Sequence, residues 1–308
     1  MADSNALLPP LTAIFDDLLA AFFDTPLLRI QQLLQTKDIN PAFQTTKPPS
    51  GAIDCISKIG QQEGLKGYWR SYIPLASSYV LRQISDIIHE LYLTQKIPKE
   101  TSPIEKNNQL EAPKSDVSSP NTVTEVINQQ KPSHLIEKPA QSGLELSAFI
   151  VGWGIIQHPI EVIQLRLACN FMGKFSGNNA NIRSTFQDLL KNGGVKNLYR
   201  GYIPLTLYSL LDKNLLTPLF GSYGKGNNNT FGAMMYLRDL ILYPLVVVSS
   251  RLMIQPNNSL AKFNGVIDCF KYTYKENGIR GLFRGFQVPT AIYLATTIIN
   301  NASKITGP

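Results

Sequence analysis

Residues 51–70 read GAIDCISKIGQQEGLKGYWR, and residues 265–284 read GVIDCFKYTYKENGIRGLFR. The two stretches align without a gap, and both place Ile-Asp-Cys, a later glycine and a final arginine at the same positions. A third copy is shorter: Gly194 is followed by LYRG at residues 198–201, and the arginine comes six residues after the glycine, as in the other two copies. Self-similarity at a fixed spacing is typical of repeat architectures. The sequence therefore predicts three copies of one structural unit.

Each copy lies between two apolar stretches, and the first of these contains a proline, which is Pro26, Pro159 or Pro244. The pattern predicts an apolar helix, a short amphipathic helix and a second apolar helix in every repeat. The predicted helices are 7–35, 54–63 and 73–93, then 144–168, 184–191 and 203–220, then 231–254, 266–276 and 288–303. The predicted repeats cover residues 1–96, 144–225 and 226–308.

The apolar stretches are close to the ~20 residues that a helix needs to cross a bilayer. Several are interrupted by charged residues, such as Asp16, Arg82 and Asp212. Charges inside a membrane helix face the bundle interior or an aqueous cavity, which explains a mean hydropathy of only −0.06. We therefore predict an all-α membrane protein with six transmembrane helices in three pseudo-symmetric repeats, with one short helix in each repeat.

Composition excludes several classes of protein. The 308 residues carry a net charge of +7, with an isoelectric point of about 9.2, a balance that suits nucleic acid, an anionic membrane surface or an anionic solute. Only 17% of residues are charged, below the roughly 25% usual in soluble proteins. Three cysteines without a Cys-x-x-Cys pair exclude a zinc module and a disulfide-rich secreted domain. The first residues resemble neither a secretory signal nor an Arg-rich presequence, so we expect any targeting signal to lie inside the chain.

Residues 97–143 differ in composition from the rest of the chain. They hold six prolines, five lysines and six acidic residues, and no aromatic residue. Such a segment cannot bury enough apolar surface to offset its chain entropy. We therefore predict that 97–143 is a polar, proline-rich insertion between the first and second repeats.

These features resemble the mitochondrial carrier family, and the resemblance covers the chain except for 97–143. In that family each repeat carries Pro-x-acid-x-x-base, a short helix with a glycine, and then aromatic-base-Gly. The last motif is present as YRG at 199–201 and FRG at 283–285, and as WRS at 69–71. The nearest branch is that of the ADP/ATP carriers, through the Gly-x-x-Asp-Cys pattern and EGL at 63–65.

The resemblance implies a multi-pass protein of the mitochondrial inner membrane, with six tilted helices around a pseudo-threefold axis. Both termini, and with them residues 97–143, would face the intermembrane space. The resemblance also implies cardiolipin as a structural lipid, held by backbone N–H groups where helices begin. The residues expected at the lipid are Arg70, Arg200, Gly201, Gly265, Arg284 and Gly285.

In the family, the acid and the base that follow each proline pair between neighbouring repeats and close a gate on the matrix side. The making and breaking of these buried pairs separates the two transport states. Glu161 is the only one of the six charges retained here, so we expect no ion pair of this gate to form. The acid positions of the second family gate are lost as well and read Leu91, Gly221 and Lys304. The positions of the degenerate matrix gate are Pro26, Leu28, Gln31, Pro159, Glu161, Gln164, Pro244, Val246 and Ser249.

The resemblance places a solute in the central cavity. The arginines that bind phosphate in nucleotide exchangers align with Ser78 and Ile292, so we expect no exchange of ADP and ATP. Arg82 and Asp86 either bind solute or, as we expect from their spacing on one helix face, form an ion pair with each other. We also expect bulky side chains to narrow the cavity. The candidate cavity residues are Ser78, Arg82, Asp86, Tyr208, Asp212, Lys213 and Ile292.

Three functions fit these patterns. In the first, which we favour, the chain is a transport-inactive carrier-fold protein and a structural subunit of an inner-membrane assembly such as a respiratory-chain complex, with 97–143 lying on a partner subunit. In the second, it exchanges a small metabolite other than ADP or ATP through gates rebuilt from Gln31, Gln164 and Ser249. In the third, it is a membrane-remodelling factor. No residue pattern indicates an enzyme, a metal site, a cofactor other than structural lipid, or nucleic-acid binding.

Overall fold

The computed structural model describes residues 11–43, 47–95, 143–171, 181–223, 228–255 and 263–305. All regular secondary structure in these ranges is helical. The prediction of an all-α fold is therefore confirmed. The predicted insertion, 97–143, lies outside the described residues except for Gly143.

The helices follow the three-part pattern of each repeat. The first repeat contains α1 (Leu11–Thr36), α2 (Ala52–Glu63) and α3 (Tyr72–Gln95). The second contains α4 (Gly143–Cys169), α5 (Ile182–Lys191), α6 (Tyr202–Leu211) and α7 (Thr217–Tyr223), with a π-helical segment, Asp212–Leu216, between α6 and α7. The third contains α8 (Asn228–Ile254), α9 (Val266–Leu282) and α10 (Gln287–Ile305).

Helices α1, α4 and α8 each contain the proline of their repeat in their interior. Proline removes one backbone donor and crowds the preceding turn, and the two halves of each helix have different surroundings. After the proline, Leu33, Val162 and Val247 are completely buried. Before it, Phe23 and Ile156 are each more than half exposed, at 64% and 58%. The core therefore forms around the C-terminal halves of these three helices.

These three halves converge with the short helices at one end of the molecule. We call this region the closed end, and it consists of residues 26–36, 159–169 and 244–254 together with α2, α5 and α9. One apolar cluster unites α4, α5 and α8, and a second unites α1, α2 and α10. Because each cluster joins elements of different repeats, the three repeats are held together here.

Within the described part of the chain, two helices, Gly143–Cys169 and Thr230–Ile254, are long and apolar enough to cross a membrane. Helices α1 and α3 are also long but carry charged residues such as Asp17 and Asp86. Large apolar side chains are nevertheless exposed on the long helices, including Phe15 and Ile299, which are 64% and 65% exposed. An exposed apolar surface of this kind suits contact with lipid.

The starts of α6 and α10 lie against the closed end and depend on glycine. Gly201 and Gly285 have φ angles of 81° and 82°, in the left-handed region that glycine adopts without steric cost. A Cβ atom on Gly201 would lie 2.7 Å from the carbonyl oxygen of Ser249, and one on Gly285 would lie 2.8 Å from that of Gln31. Both glycines therefore permit a close approach of helices from different repeats.

Candidate functional site

The three base positions of the predicted gate are packed against the preceding repeat in cyclic order. The backbone carbonyls of Gln31 and Ser249 lie against Gly285 and Gly201. Gln164 Nε2 donates to Ser71 Oγ at 3.5 Å. Ser249 Oγ donates to the Gly201 carbonyl oxygen at 2.9 Å. These positions thus bridge the repeats with neutral groups.

Neutral side chains also bridge the proline-containing helices directly. Gln32 of α1 and Gln164 of α4 exchange two amide hydrogen bonds, of 3.0 and 3.3 Å. On the other side of α1, Gln31 and Gln35 donate to the hydroxyl of Tyr243 of α8, at 3.3 and 3.0 Å. Helix α1 is therefore hydrogen-bonded to both of the other proline-containing helices without any charge.

The hydroxyl of Tyr243 has a full set of partners. It accepts the two amides from α1 and donates to the carbonyl oxygen of Arg284 at 3.0 Å. Ser250 completes this group by donating to Gln35 Oε1 at 2.9 Å. Gln32, Gln35, Tyr243 and Ser250 were not among the predicted site residues. Their positions in the sequence gave no sign of which neighbours in other repeats they would meet.

The acid positions of the gate make no contact of the expected kind. Leu28 is half-buried and packs beside the cluster of Ala21 and Leu75, and Val246 is half-buried in α8. Glu161 accepts a hydrogen bond of 2.9 Å from Gln157, and its other oxygen is 3.7 Å from His158 Nδ1. The remaining gate acid is thus paired within its own helix and not with a neighbouring repeat.

Three buried arginines connect the ends of the proline-containing helices in a closed cycle. We call Arg29, Arg166 and Arg251 the arginine ring. Each donates to a backbone carbonyl near the C-terminal end of the next helix, where carbonyl groups lack intrahelical partners and carry partial negative charge. The contacts are Arg29 Nε to Ala168 (2.9 Å), Arg166 Nε to Met253 (3.1 Å) and Arg251 Nε to Gln35 (3.2 Å).

The three arginines make the same kind of contact, but they do not occupy equivalent positions in their repeats. Arg166 and Arg251 come seven residues after Pro159 and Pro244, whereas Arg29 comes three residues after Pro26. The first repeat therefore supplies its arginine from one helical turn earlier. Only the second and third arginines stand at equivalent positions in their repeats, so the repeat pattern does not predict the ring.

Two carboxylates neutralise part of this positive charge. Glu63 Oε2 lies 2.8 Å from Arg29 Nη2 and 3.5 Å from Arg70 Nη2. Since the side chains of Arg29 and Glu63 are 0% and 4% exposed, this is a buried ion pair. It fixes the end of α2 to α1.

Asp38 plays the corresponding part between the first and third repeats. Its Oδ2 atom is 3.2 Å from Arg251 Nη2, accepts a hydrogen bond of 3.1 Å from Asn277, and pairs with Arg284. Burial lowers the pKa of the Arg284 guanidinium from its ordinary value, but an arginine remains charged at neutral pH. The Asp38 carboxylate therefore pairs with two guanidinium groups, those of Arg251 and Arg284.

A cavity of about 630 Å³ lies on the other side of the closed end, between α3, α4, α6 and α8. Tyr208 lines this cavity. The expectation that bulky side chains narrow the central cavity stays a prediction. The charged residues that line the cavity are Arg82, Asp86, Glu161, Asp212, Lys213 and Arg238.

The π-helical segment brings Asp212 and Lys213 to this cavity together. Asp212 is buried, accepts a hydrogen bond of 2.8 Å from Thr217 Oγ1 and lies 3.5 Å from Arg238 Nη1. Arg238 also pairs with Asp239 at 2.7 Å. Asp212 and Lys213 do not pair with each other, and Lys213 is exposed to the cavity.

The expected ion pair between Arg82 and Asp86 is not formed. Both side chains are exposed and line the cavity, and Arg82 lies 5.5 Å from the centre of the Tyr79 ring. Ser78 and Ile292 do not line this cavity. Ser78 is buried and donates to the carbonyl oxygen of Pro74 at 3.0 Å, whereas Ile292 is 42% exposed.

The residues expected at a lipid are partly engaged within the protein. Arg200 Nη1 donates to the Gln255 carbonyl oxygen at 3.0 Å, and Arg284 Nη2 donates to Asn277 Oδ1 at 2.6 Å. Gly265 is half-buried and directly precedes α9, whereas Gly201 and Gly285 are buried. The lipid site stays a prediction.

The family model described as "Mitochondrial carrier protein" matches residues 232–304. The chain is 22% identical over 279 residues to an ADP,ATP carrier protein of Parachlorella kessleri, covering 84% of this chain and 72% of that protein. It is 22% identical to ADP,ATP carrier protein 3 of Saccharomyces cerevisiae, over 85% of this chain and 80% of that protein.

A third relative is mitochondrial substrate carrier family protein L of Dictyostelium discoideum. It is 28% identical over 159 residues, which cover 46% of this chain and 52% of that protein. The chain thus spans about half the length of this relative. The family match falls on the third repeat, and the two ADP,ATP carriers extend the similarity over most of the chain.

Proposed function

Since this chain belongs to the mitochondrial carrier family, we propose that it is a transport-inactive member that serves as a structural subunit of an inner-membrane assembly, such as a respiratory-chain complex. Its relatives include proteins named ADP,ATP carriers, but this chain lacks arginine at Ser78 and Ile292, where nucleotide exchangers bind phosphate. We therefore propose no exchange of ADP and ATP.

The arginine ring is the observation that carries this proposal. Transport by alternating access requires the ends of α1, α4 and α8 to separate. Hydrogen bonds to charged groups contribute about 1.5–3 kcal/mol each, so three such contacts together hold the closed end by about 5–9 kcal/mol. A ligand that inverts a two-state population from 1:99 to 99:1 must supply about 5.5 kcal/mol of differential binding. A small solute would have to give most of its binding energy to opening the ring alone.

The neutral contacts add to this resistance. Tyr243 and its amide partners, and the Gln32–Gln164 pair, also break when the proline-containing helices move apart. In the family, one set of gate ion pairs breaks on each change of transport state, and another set forms in its place. Here none of the three acid positions of the second gate holds an acid, so an opened closed end would gain no compensating ion pairs. A permanently closed end suits a static structural role.

In this role, residues 97–143 and cardiolipin would provide the contacts with the assembly. The segment would face the intermembrane space, together with both termini, and would lie on a partner subunit. Apolar residues of the short helices, such as Ile53 and Ile267, are 85% and 71% exposed and would lie at the membrane surface beside lipid.

The test begins with the native membrane. Mildly solubilised mitochondria are separated by native electrophoresis, and the bands that contain this chain are identified by mass spectrometry. We expect co-migration in constant proportion with subunits of one large complex. Deletion of 97–142, which leaves α4 intact, should weaken that incorporation, whereas the deletion variant should unfold at the same temperature as the wild type. Migration as a free monomer would contradict the structural role.

The cavity of about 630 Å³ favours a second function, exchange of a small metabolite other than ADP or ATP. Reconstitution into cardiolipin-containing liposomes distinguishes the two. We expect no uptake of nucleotides, dicarboxylates or amino acids above empty vesicles. Saturable uptake that a competing solute inhibits would establish the second function and exclude the first.

A further inference from the structure

We propose that the cavity binds a small zwitterion with an apolar body, of the amino-acid class. The binding site would serve either as a transport site or as a ligand site of a static subunit, so it does not depend on the function proposed above. A volume of about 630 Å³ falls within the ~300–1,000 Å³ of pockets that enclose small ligands.

The charges in the cavity are balanced. Three cations and three carboxylates line it, and some of them already have partners. Arg238 pairs with two aspartates, and Glu161 accepts from Gln157. Among the described residues, Arg82, Asp86 and Lys213 form no ion pair and remain for a ligand. The charged groups without an ion-pair partner are therefore of both signs, two cations and one carboxylate.

The spacing on α3 matches a molecule that carries both charges. Arg82 and Asp86 are four residues apart and face the same side of the helix, about 6 Å along its axis. A ligand carboxylate on Arg82 and a ligand ammonium on Asp86 would be satisfied at the same time. A simple anion would approach the unpaired carboxylate of Asp86, and a simple cation would approach the guanidinium of Arg82. Each single-charge ligand therefore meets one repulsion.

An aromatic wall on α4 accounts for the apolar body. Phe149 and Trp153 both line the cavity, and their rings are stacked with centroids 6.3 Å apart and planes 11° apart. The ring of His89 lies 4.7 Å from that of Phe149 and extends the wall towards α3. Flat rings that face an aqueous cavity favour an aliphatic or aromatic group, and they also attract an ammonium group.

The π-helical segment is an independent sign of a ligand site. Successive residues of a regular α-helix point about 100° apart, whereas the wider turn at Asp212–Leu216 brings the neighbours Asp212 and Lys213 to one cavity. Such segments are rare and occur frequently at functional sites. Lys213 adds a second unpaired cation to the lining of the cavity that Arg82 also lines.

Thermal unfolding of the purified full-length protein in detergent with cardiolipin tests the proposal. The probes are L-phenylalanine and its two halves, phenethylamine and 3-phenylpropionate, because each half keeps the ring and one charge. We expect L-phenylalanine to raise the melting temperature in a saturable manner. Each half should bind at least tenfold more weakly.

Variants assign the effect to the cavity. Arg82→Gln and Asp86→Asn should each weaken L-phenylalanine binding at least tenfold and leave the melting temperature without ligand unchanged, since both side chains are exposed. Asp16→Asn, an exposed acid on α1 that does not line the cavity, should bind as the wild type does. The proposal is wrong if no zwitterion stabilises the protein, if either half binds as well as L-phenylalanine, or if both cavity variants keep wild-type affinity. Ligand binding without uptake, in a protein that co-migrates with a large complex, would support this inference and the structural role together.

Discussion

The carbonyl oxygen of Ser249 lies 2.7 Å from the point where a Cβ atom of Gly201 would stand, and the Ser249 hydroxyl donates to the Gly201 carbonyl oxygen at 2.9 Å. The two residues belong to different repeats, and their backbones meet where α6 begins against α8. By its resemblance to the carrier motif, Ser249 stands five residues after Pro244, where a base is expected. Here a short hydroxyl allows the two helices to touch.

Replacement of Gly201 by alanine should therefore destabilise the protein by about 2–5 kcal/mol. A left-handed conformation costs a non-glycine residue about 1–2 kcal/mol, and the new methyl group adds an overpacking cost of about 1–3 kcal/mol. Gly194→Ala is a matched control, since Gly194 also has a positive φ of 64° but open space around its Cβ position. Thermal unfolding in detergent measures both variants. Equal destabilisation by the two would show that the close approach to α8 contributes nothing.

Loss of Arg251 should destabilise the closed end strongly. Arg251 is fully buried and donates to the Gln35 carbonyl oxygen and to Thr273 Oγ1, besides its ion pair with Asp38. We expect Arg251→Met to cost about 3–5 kcal/mol because it leaves buried partners unsatisfied. Arg251→Lys should not restore the loss, since an ammonium group lacks the planar set of donors.

The exposed Arg280 provides the control for this substitution. Arg280→Met removes the same charge from α9 and should change the free energy of unfolding by no more than about 0.5 kcal/mol. Chemical unfolding of the two variants side by side is the measurement. Wild-type stability of Arg251→Met would remove the main support for a permanently closed end.

Removal of one oxygen atom tests the neutral contacts. Tyr243→Phe deletes the hydroxyl that accepts from Gln31 and Gln35 and donates to the Arg284 carbonyl oxygen. We expect a loss of about 1–3 kcal/mol, since the buried partners lose their hydrogen bonds while the ring still fills its space. Tyr274→Phe, at a position 54% exposed, should have almost no effect. Equal unfolding temperatures for both variants would count against a role of Tyr243 in joining the repeats.

Two buried cysteines, one on α2 and one on α9, predict that the free energy of unfolding depends on pH in the alkaline range. Burial raises the pKa of the Cys55 and Cys269 thiols to about 12, compared with about 8.5 in an unfolded chain. Above pH 8.5 the unfolded state releases protons that the folded state retains, so stability falls as pH rises and is unaffected below that value. Each thiol contributes at most about 1.4 kcal/mol per pH unit.

The measurement is the free energy of unfolding between pH 7.5 and pH 10. We expect Cys55→Val with Cys269→Val to flatten the decline in the alkaline range, relative to the wild type. Both thiols should also resist maleimide at pH 8 until the protein unfolds, because the thiolate is the reactive form. Rapid labelling of the folded protein would show that the thiols are accessible.

Sequence alone predicted the three repeats and the helices, because the apolar stretches, the prolines and the glycines are local signals. It also shows directly that five of the six charges of the family's matrix gate are absent. It did not predict the contacts of Gln35 or Tyr243, because a partner in another repeat depends on how the helices are rotated. The prediction of an Arg82–Asp86 pair was wrong, since the spacing shows that two charges can meet but does not fix the rotamers that would bring them together. The π-helical segment at 212–216 has no composition that distinguishes it from an ordinary helix.

In the arginine ring, mutation affects the hydrogen-bond donors more than the acceptors. The donors are side chains, so any substitution at Arg29, Arg166 or Arg251 removes a contact. The acceptors are main-chain carbonyls, which every amino acid supplies, so the residue at Ala168 or Met253 changes without loss of the bond. The donor of the first repeat even stands at a different offset from its proline and still reaches the same kind of acceptor. A closure of this design survives extensive sequence drift as long as three arginines remain, which suits a chain only 22% identical to its ADP,ATP carrier relatives.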